Sequence, residues 1–120
     1  MMRALSIRQP YANQILRGYK KIEYRSTSTK IVGERFYIYV PQKPAAAGAM
    51  GWTVRDLSAF DKQPGDYPFG VIVGSAVIHK VTPTTKEMPY WHWHLSDVKR
   101  LKRHRQPVNM PQPVWFWPFA

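Results

Sequence analysis

The chain opens on an alternation. In ALSIRQP, Leu5 and Ile7 fall on one side and Ser6 and Arg8 on the other, the two-residue period of a half-buried strand. The spacing then changes. Pro10 suits the first turn of a helix, and Tyr11, Ala12, Ile15 and Leu16 recur at helical intervals up to Arg17. Gly18 follows where a left-handed C-terminal cap belongs, so a short helix is expected to end there. Period two returns in KKIEYRS, with Ile22 and Tyr24 on one face, Lys21, Glu23 and Arg25 on the other, and Lys20 at the strand entrance on the Ile22 side. This pattern predicts that Ile22 and Tyr24 anchor the strand while its opposite face stays polar.

Further strands follow. ERFYIYV, Glu34 to Val40, is rich in aromatic and β-branched residues. FGVIVGSAVIHKV is a continuous apolar run of strand type, with a bulge or bend expected at Gly74 and Ser75. Between them lies a loop around a short helix near Val54 to Phe60, closed by the turn residues Pro64, Gly65 and Asp66. In PVWFW, Trp115 and Trp117 stand two apart and would share one side of a strand. Several strands with one or two short helices, and no regular strand-helix alternation, argue for an antiparallel α+β domain or small barrel and against a doubly wound sheet.

Composition narrows the function classes. With 120 residues, the chain suits one compact domain. Its 18 Lys and Arg against 7 Asp and Glu give a net charge of +11, a field that attracts polyanions and makes nucleic acid the first partner to consider. The absence of cysteine excludes disulfides, thiolate catalysis and cysteine-based zinc sites. No apolar run reaches the length of a signal peptide or a membrane span, so a soluble, cytoplasmic protein without a membrane partner is expected. Neither a dinucleotide fingerprint nor a phosphate-binding loop occurs, so no cofactor is expected.

The segment LSIRQPYANQILRGYKKIEYR resembles the ASCH family of PUA-like β-barrel domains, whose signature is a strand, a helix, then Gly-x-Lys-x-x-Glu-x-Arg. Gly18, Lys20, Glu23 and Arg25 match every specified position. PQPVWFWPF and GVIVGSAVI also look like later strands of that family. The resemblance implies a single ASCH domain over residues 1–120. Its fold would be a small PUA-like β-barrel of about five to six mostly antiparallel strands with one or two short helices. It also implies a cleft beside the first helix that takes RNA or a modified nucleoside. Some relatives are hydrolases, either amidohydrolases acting on N4-acetylcytidine or single-strand ribonucleases. The amidohydrolases use a Lys, Thr, Glu set, and this chain has Glu23 at the threonine position; the remaining carboxylate would have to be Glu87.

The candidate site residues follow. Lys20, if partly buried, can act as a base, or it can stay charged and bind phosphate. Glu23 can accept a base amino group, orient Lys20, or serve as general base, which makes the two the candidate catalytic pair. The alternative is a cross-strand ion-pair ladder of Lys21, Glu23 and Arg25 on a solvated face. Arg8 can fork onto phosphate and Gln9 can hydrogen-bond a base edge, and Ser6 on the Arg8 face, Lys21, Arg25, Arg100 and Arg103 join them as candidate ligand- or nucleic-acid-binding residues; Gln9 can equally be a strand end feeding the helix.

In YWHWHLSDVKRLKRHR, His92 and His94 have no third ligand nearby, so no metal site is expected. Tyr90, Trp91 and Trp93 with Lys99, Arg100, Lys102, Arg103 and Arg105 interleave aromatics with cations, a combination suited to single-stranded nucleic acid. Large aromatics in a small domain also commonly form core. A non-catalytic interaction module presenting this basic region is the remaining alternative.

Overall fold

The computed structural model describes residues 1–43 and 68–119. In chain order these form β1 (Ala4–Ser6), α1 (Tyr11–Leu16), β2 (Ile22–Arg25), β3 (Arg35–Val40), β4 (Val71–Thr82), β5 (Trp91–Arg105) and β6 (Trp115–Phe116). The six strands make one sheet in the order β2-β5-β4-β3-β1-β6, antiparallel except for β1 against β3. It curls into a half-barrel with one short helix, the small α+β barrel expected from the sequence. The expected helix at Val54 to Phe60 and its closing turn residues lie outside the described residues.

The core fills the inside of the curl. Leu5, Ile7, Ala12, Ile15, Phe36, Ile38, Val40, Val73, Ala76, Ile78, Trp93 and Leu95 form its buried cluster, to which α1 contributes Ala12 and Ile15. Burying such side chains contributes about 1.5–3 kcal/mol each, which is why this pattern dominates the fold. A smaller cluster of Ala4, Tyr39, Ile72 and Phe116 gathers Tyr37, Leu101 and Phe119 around it. Trp93 and Trp115 stack 6.0 Å apart, and Trp93 Nε1 donates to the Thr27 carbonyl. Trp117, by contrast, is 44% exposed under the Arg3 guanidinium, because β6 pairs for only two residues and Trp115 alone turns inward.

The long strands do not pair evenly. Register shifts interrupt β4 against β5 on either side of Gly74 and Ser75, the expected place for a bulge. At Gly74, a Cβ would collide with the Lys99 carbonyl and lie 2.7 Å from Leu16 Cδ2, so glycine lets β4, β5 and α1 meet at one point.

One expectation is reversed. The two-residue period of β2 holds, yet the polar face points inward: Glu23 pairs across to the buried Trp93, while Ile22 and Tyr24 pair with His94 and His92. The period is a local property of the strand. Which side is buried depends on neighbours contributed by β5 and β1, and here β5 supplies the Trp93 indole face and β1 the Ser6 carbonyl for Arg25, which with Lys20 pairs Glu23.

Candidate functional site

The sheet stops short of closing. β2 and β6 are its two ends, and the gap between them is spanned by Arg25, whose Nη2 donates to the Ser6 carbonyl on β1 over 2.7 Å. A cleft of about 740 Å3 opens at this seam, lined by Ser6, Arg8, Tyr11, Lys20, Glu23, Tyr24, Arg25 and the buried Tyr39, with the more exposed Lys43, Tyr90 and segment 111–114 around its mouth.

Gly18 delivers the lysine. Its φ of +81° turns the chain out of α1, and the backbone N–H groups of Tyr19 and Lys20 then both donate to the Gln14 carbonyl. Lys20 is thereby tied to the helix end, two residues before β2. Its Nζ lies 3.5 Å from Glu23 Oε1, 5.2 Å from the Tyr11 ring centroid and 4.8 Å from that of Tyr24.

Glu23 is the hub. Only 6% exposed, it accepts from Arg25 on Oε2 (Nε at 2.8 Å, Nη2 at 2.6 Å) and faces Lys20 on Oε1. A carboxylate offers about four lone-pair positions, so these cations leave roughly one acceptor position unfilled. The Arg25 guanidinium is also held 5.6 Å over the Trp93 ring.

Burial sets the protonation landscape. Desolvation pulls the Lys20 amine below its ordinary value, and the charge and hydrogen bond of Glu23 oppose that pull only in part. Tyr11 is shifted the other way: burial, then the Glu23 charge, raises its phenol above the usual range. The site thus holds a partly desolvated amine against a buried carboxylate, walled by phenol rings.

The sequence-derived candidates divide. Ser6, Arg8, Lys20, Glu23 and Arg25 converge on the cleft. Lys21 is exposed and does not line it. Gln9 is wholly buried: its Oε1 accepts from the Asn13 N–H in the first turn of α1, and its Nε2 donates to the Pro68 carbonyl. That amide is committed to capping the helix and holding a loop, so the expected contact with a base edge is withdrawn. Arg100 and Arg103 lie on the exposed far half of β5, away from the cleft lining. Glu87 is exposed on the loop before β5 and is not among the lining residues, although its neighbour Met88 is.

Other lining residues were not singled out by the sequence. Tyr11 and Tyr39 were absorbed into the hydrophobic pattern of α1 and β3, and the lead-in to β6 carried no chemical signal. Their hydroxyl-bearing aromatic side chains were the available clue. Tyr90, read as a stacking residue, stands 46% exposed at the mouth. Among the described residues, no group of three or more His, Cys, Asp or Glu side chains is arranged to hold a metal ion. None of the helices there is long and apolar enough to cross a membrane.

No curated protein matches the chain. A family comparison is decisive: the ASCH domain matches residues 5–105, from the first strand through the end of β5. The chain belongs to the ASCH domain family.

Proposed function

We propose that this protein binds RNA or a modified nucleoside, taking a base into the seam cleft. The observation that carries the reading is the buried Glu23 carboxylate, bracketed by Lys20 and Arg25 and walled by Tyr11 and Tyr24. A volume of about 740 Å3 lies in the range of small-molecule sites, and family membership supports a nucleic-acid role. The tyrosine rings provide stacking surfaces, the remaining acceptor position of Glu23 suits an exocyclic amino group, and the exposed Arg8 suits a phosphate.

A second reading has its own support. A lysine with a depressed pKa touching a buried carboxylate is a plausible acid-base pair, and hydrolysis of an N4-acylated cytidine or of single-stranded RNA would use it. The exposed position of Glu87 leaves Lys20 and Glu23 as the residues for that chemistry.

One experiment separates the two. A short single-stranded RNA carrying one N4-acetylcytidine is incubated with wild type and with Lys20→Ala, and both its intact mass and its binding are measured. Binding without mass change, lost in the variant, is the expected result; loss of acetyl or chain cleavage by wild type alone would establish the hydrolase. Equal binding by both proteins would remove Lys20 from the site.

A further inference from the structure

The far half of β5 is unlike any other part of the described surface. β2 pairs with β5 only from Trp91 to His94, with one more bond from the Leu95 N–H to the Lys21 carbonyl. Beyond Leu95 that edge of β5 has no strand partner among the described residues. Lys99, Arg100, Lys102, Arg103 and Arg105 follow, all exposed, and no acidic residue occurs from Val98 to the end of the chain.

The backbone pushes these cations outward. Between the paired positions Ile72↔Arg105 and Gly74↔Arg100, β4 has one intervening residue and β5 has four, Leu101 to His104. This large bulge tucks Leu101 against the Ile72 cluster and leaves Lys102 and Arg103 in solvent. Arg105 is anchored separately, 3.9 Å over the Phe119 ring and donating to the Tyr37 hydroxyl. Lys99, Arg100, Lys102 and Arg103 have no carboxylate partner among the described residues.

We infer that this edge is a track for the phosphates of a single-stranded polynucleotide whose base occupies the cleft. The inference rests on the cleft reading and deepens it: the ligand is a strand, not a free nucleoside. Tyr90 at the cleft mouth immediately precedes β5. From there to Lys99 is nine residues, at most about 30 Å of extended chain, a reach of several nucleotides. Unpaired cations spaced along an edge match a phosphate backbone, to which arginine adds forked hydrogen bonds. A lipid surface would call for apolar side chains among the cations, and Leu101 is turned away from solvent. Cations on a free edge also deter strand-to-strand aggregation, and that role alone predicts no effect on ligand binding.

The test uses fluorescence anisotropy with RNA and DNA single strands of about 12 nucleotides, between about 50 and 200 mM salt, alongside nucleoside binding by calorimetry. The variant Lys99→Gln/Arg100→Gln/Lys102→Gln/Arg103→Gln is expected to lower strand affinity at least about tenfold at low salt. It should also flatten the slope of log affinity against log salt by about 2 to 3, at roughly 0.7 per contact. Nucleoside binding should be unchanged. The double variant Lys102→Gln/Arg103→Gln, confined to the bulge, should give about half that change in slope and guards against misfolding of the quadruple one. Equal losses on RNA and DNA assign a backbone contact, and a loss on one alone assigns that nucleic acid; both support the track. Unchanged slopes, or a parallel loss of nucleoside binding, overturn it. So does a stronger dependence of phosphatidylserine-vesicle binding on these four residues, which would assign a membrane surface. Should wild type bind strands through this edge but no nucleoside, the cleft reading falls while the edge stands as a polynucleotide contact.

Discussion

Two charged regions of this molecule obey opposite rules. In the seam, Glu23 is buried and Lys20 and Arg25 are largely withdrawn from water, held by one another and by aromatic rings. Along the far half of β5, Lys99, Arg100, Lys102 and Arg103 stand in solvent with no carboxylate partner among the described residues. Buried charges cost several kcal/mol of desolvation each and persist only where partners offset it, so their geometry is rigid and specific. Exposed cations cost little and contribute little to folding, so their significance lies in the long-range field they project. The first region can select a ligand by shape and hydrogen bonding; the second can only attract and align one.

The sharpest way to break this contrast is to remove the hub. Glu23→Ala leaves two partly buried cations facing each other without their carboxylate and should destabilise the fold by about 2–3 kcal/mol, below the full cost of breaking a deeply buried pair, measured as a lower midpoint in urea unfolding. A midpoint near wild type would mean that the seam is hydrated and its charges are as cheap as those on β5.

Next comes the point where both regions hang on the same scaffold. Gly74→Ala places a Cβ against the Lys99 carbonyl and Leu16, and overpacking should cost about 1–3 kcal/mol in the same assay. Wild-type stability there would show that β5 can move away from α1.

Lys20 supplies a pH signature. Its folded value lies below its unfolded one, so the native state sheds the proton first. Between the two values stability rises with pH, up to the ordinary lysine range. The stability difference between wild type and Lys20→Met should therefore shift in favour of wild type as the pH is raised towards that range. A difference that stays flat with pH would mean that Glu23 fully offsets the desolvation of the amine.

The smallest effect sharpens the comparison from the other side. Lys102→Gln should change stability by no more than about 0.5 kcal/mol, since the side chain is exposed and has no carboxylate partner among the described residues. A loss above about 1 kcal/mol would reveal a structural partner for it.

Much of the framework was legible because it is local. Helical spacing followed by Gly18 placed α1 and its turn, alternation placed β1 and β2, and the aromatic and β-branched run placed β3. Gly74 marked the irregular stretch of β4. The side of β2 that turns inward was not legible. In a strand with only Ile22 and Tyr24 as apolar members, hydrophobicity favours one face, and the decision is made by Trp93, some seventy positions later in the chain, and by the Ser6 carbonyl. Gln9 illustrates the same limit: a polar residue after a strand reads as available, yet its amide is consumed by Asn13 and Pro68. Convergence of Ser6, Arg8 and Glu23 on one cleft is a product of the sheet curling, which no single segment encodes.

The stitch from Arg25 to Ser6 has a mechanical consequence. The two margins of the cleft are joined there by a guanidinium and a carbonyl, where a closed barrel would have a ladder of backbone bonds. One side-chain contact resists separation of the margins less than such a ladder would, and breaking it would leave the pairing of every described strand intact. A guest that competed for that guanidinium would weaken the one bond that draws the two margins together.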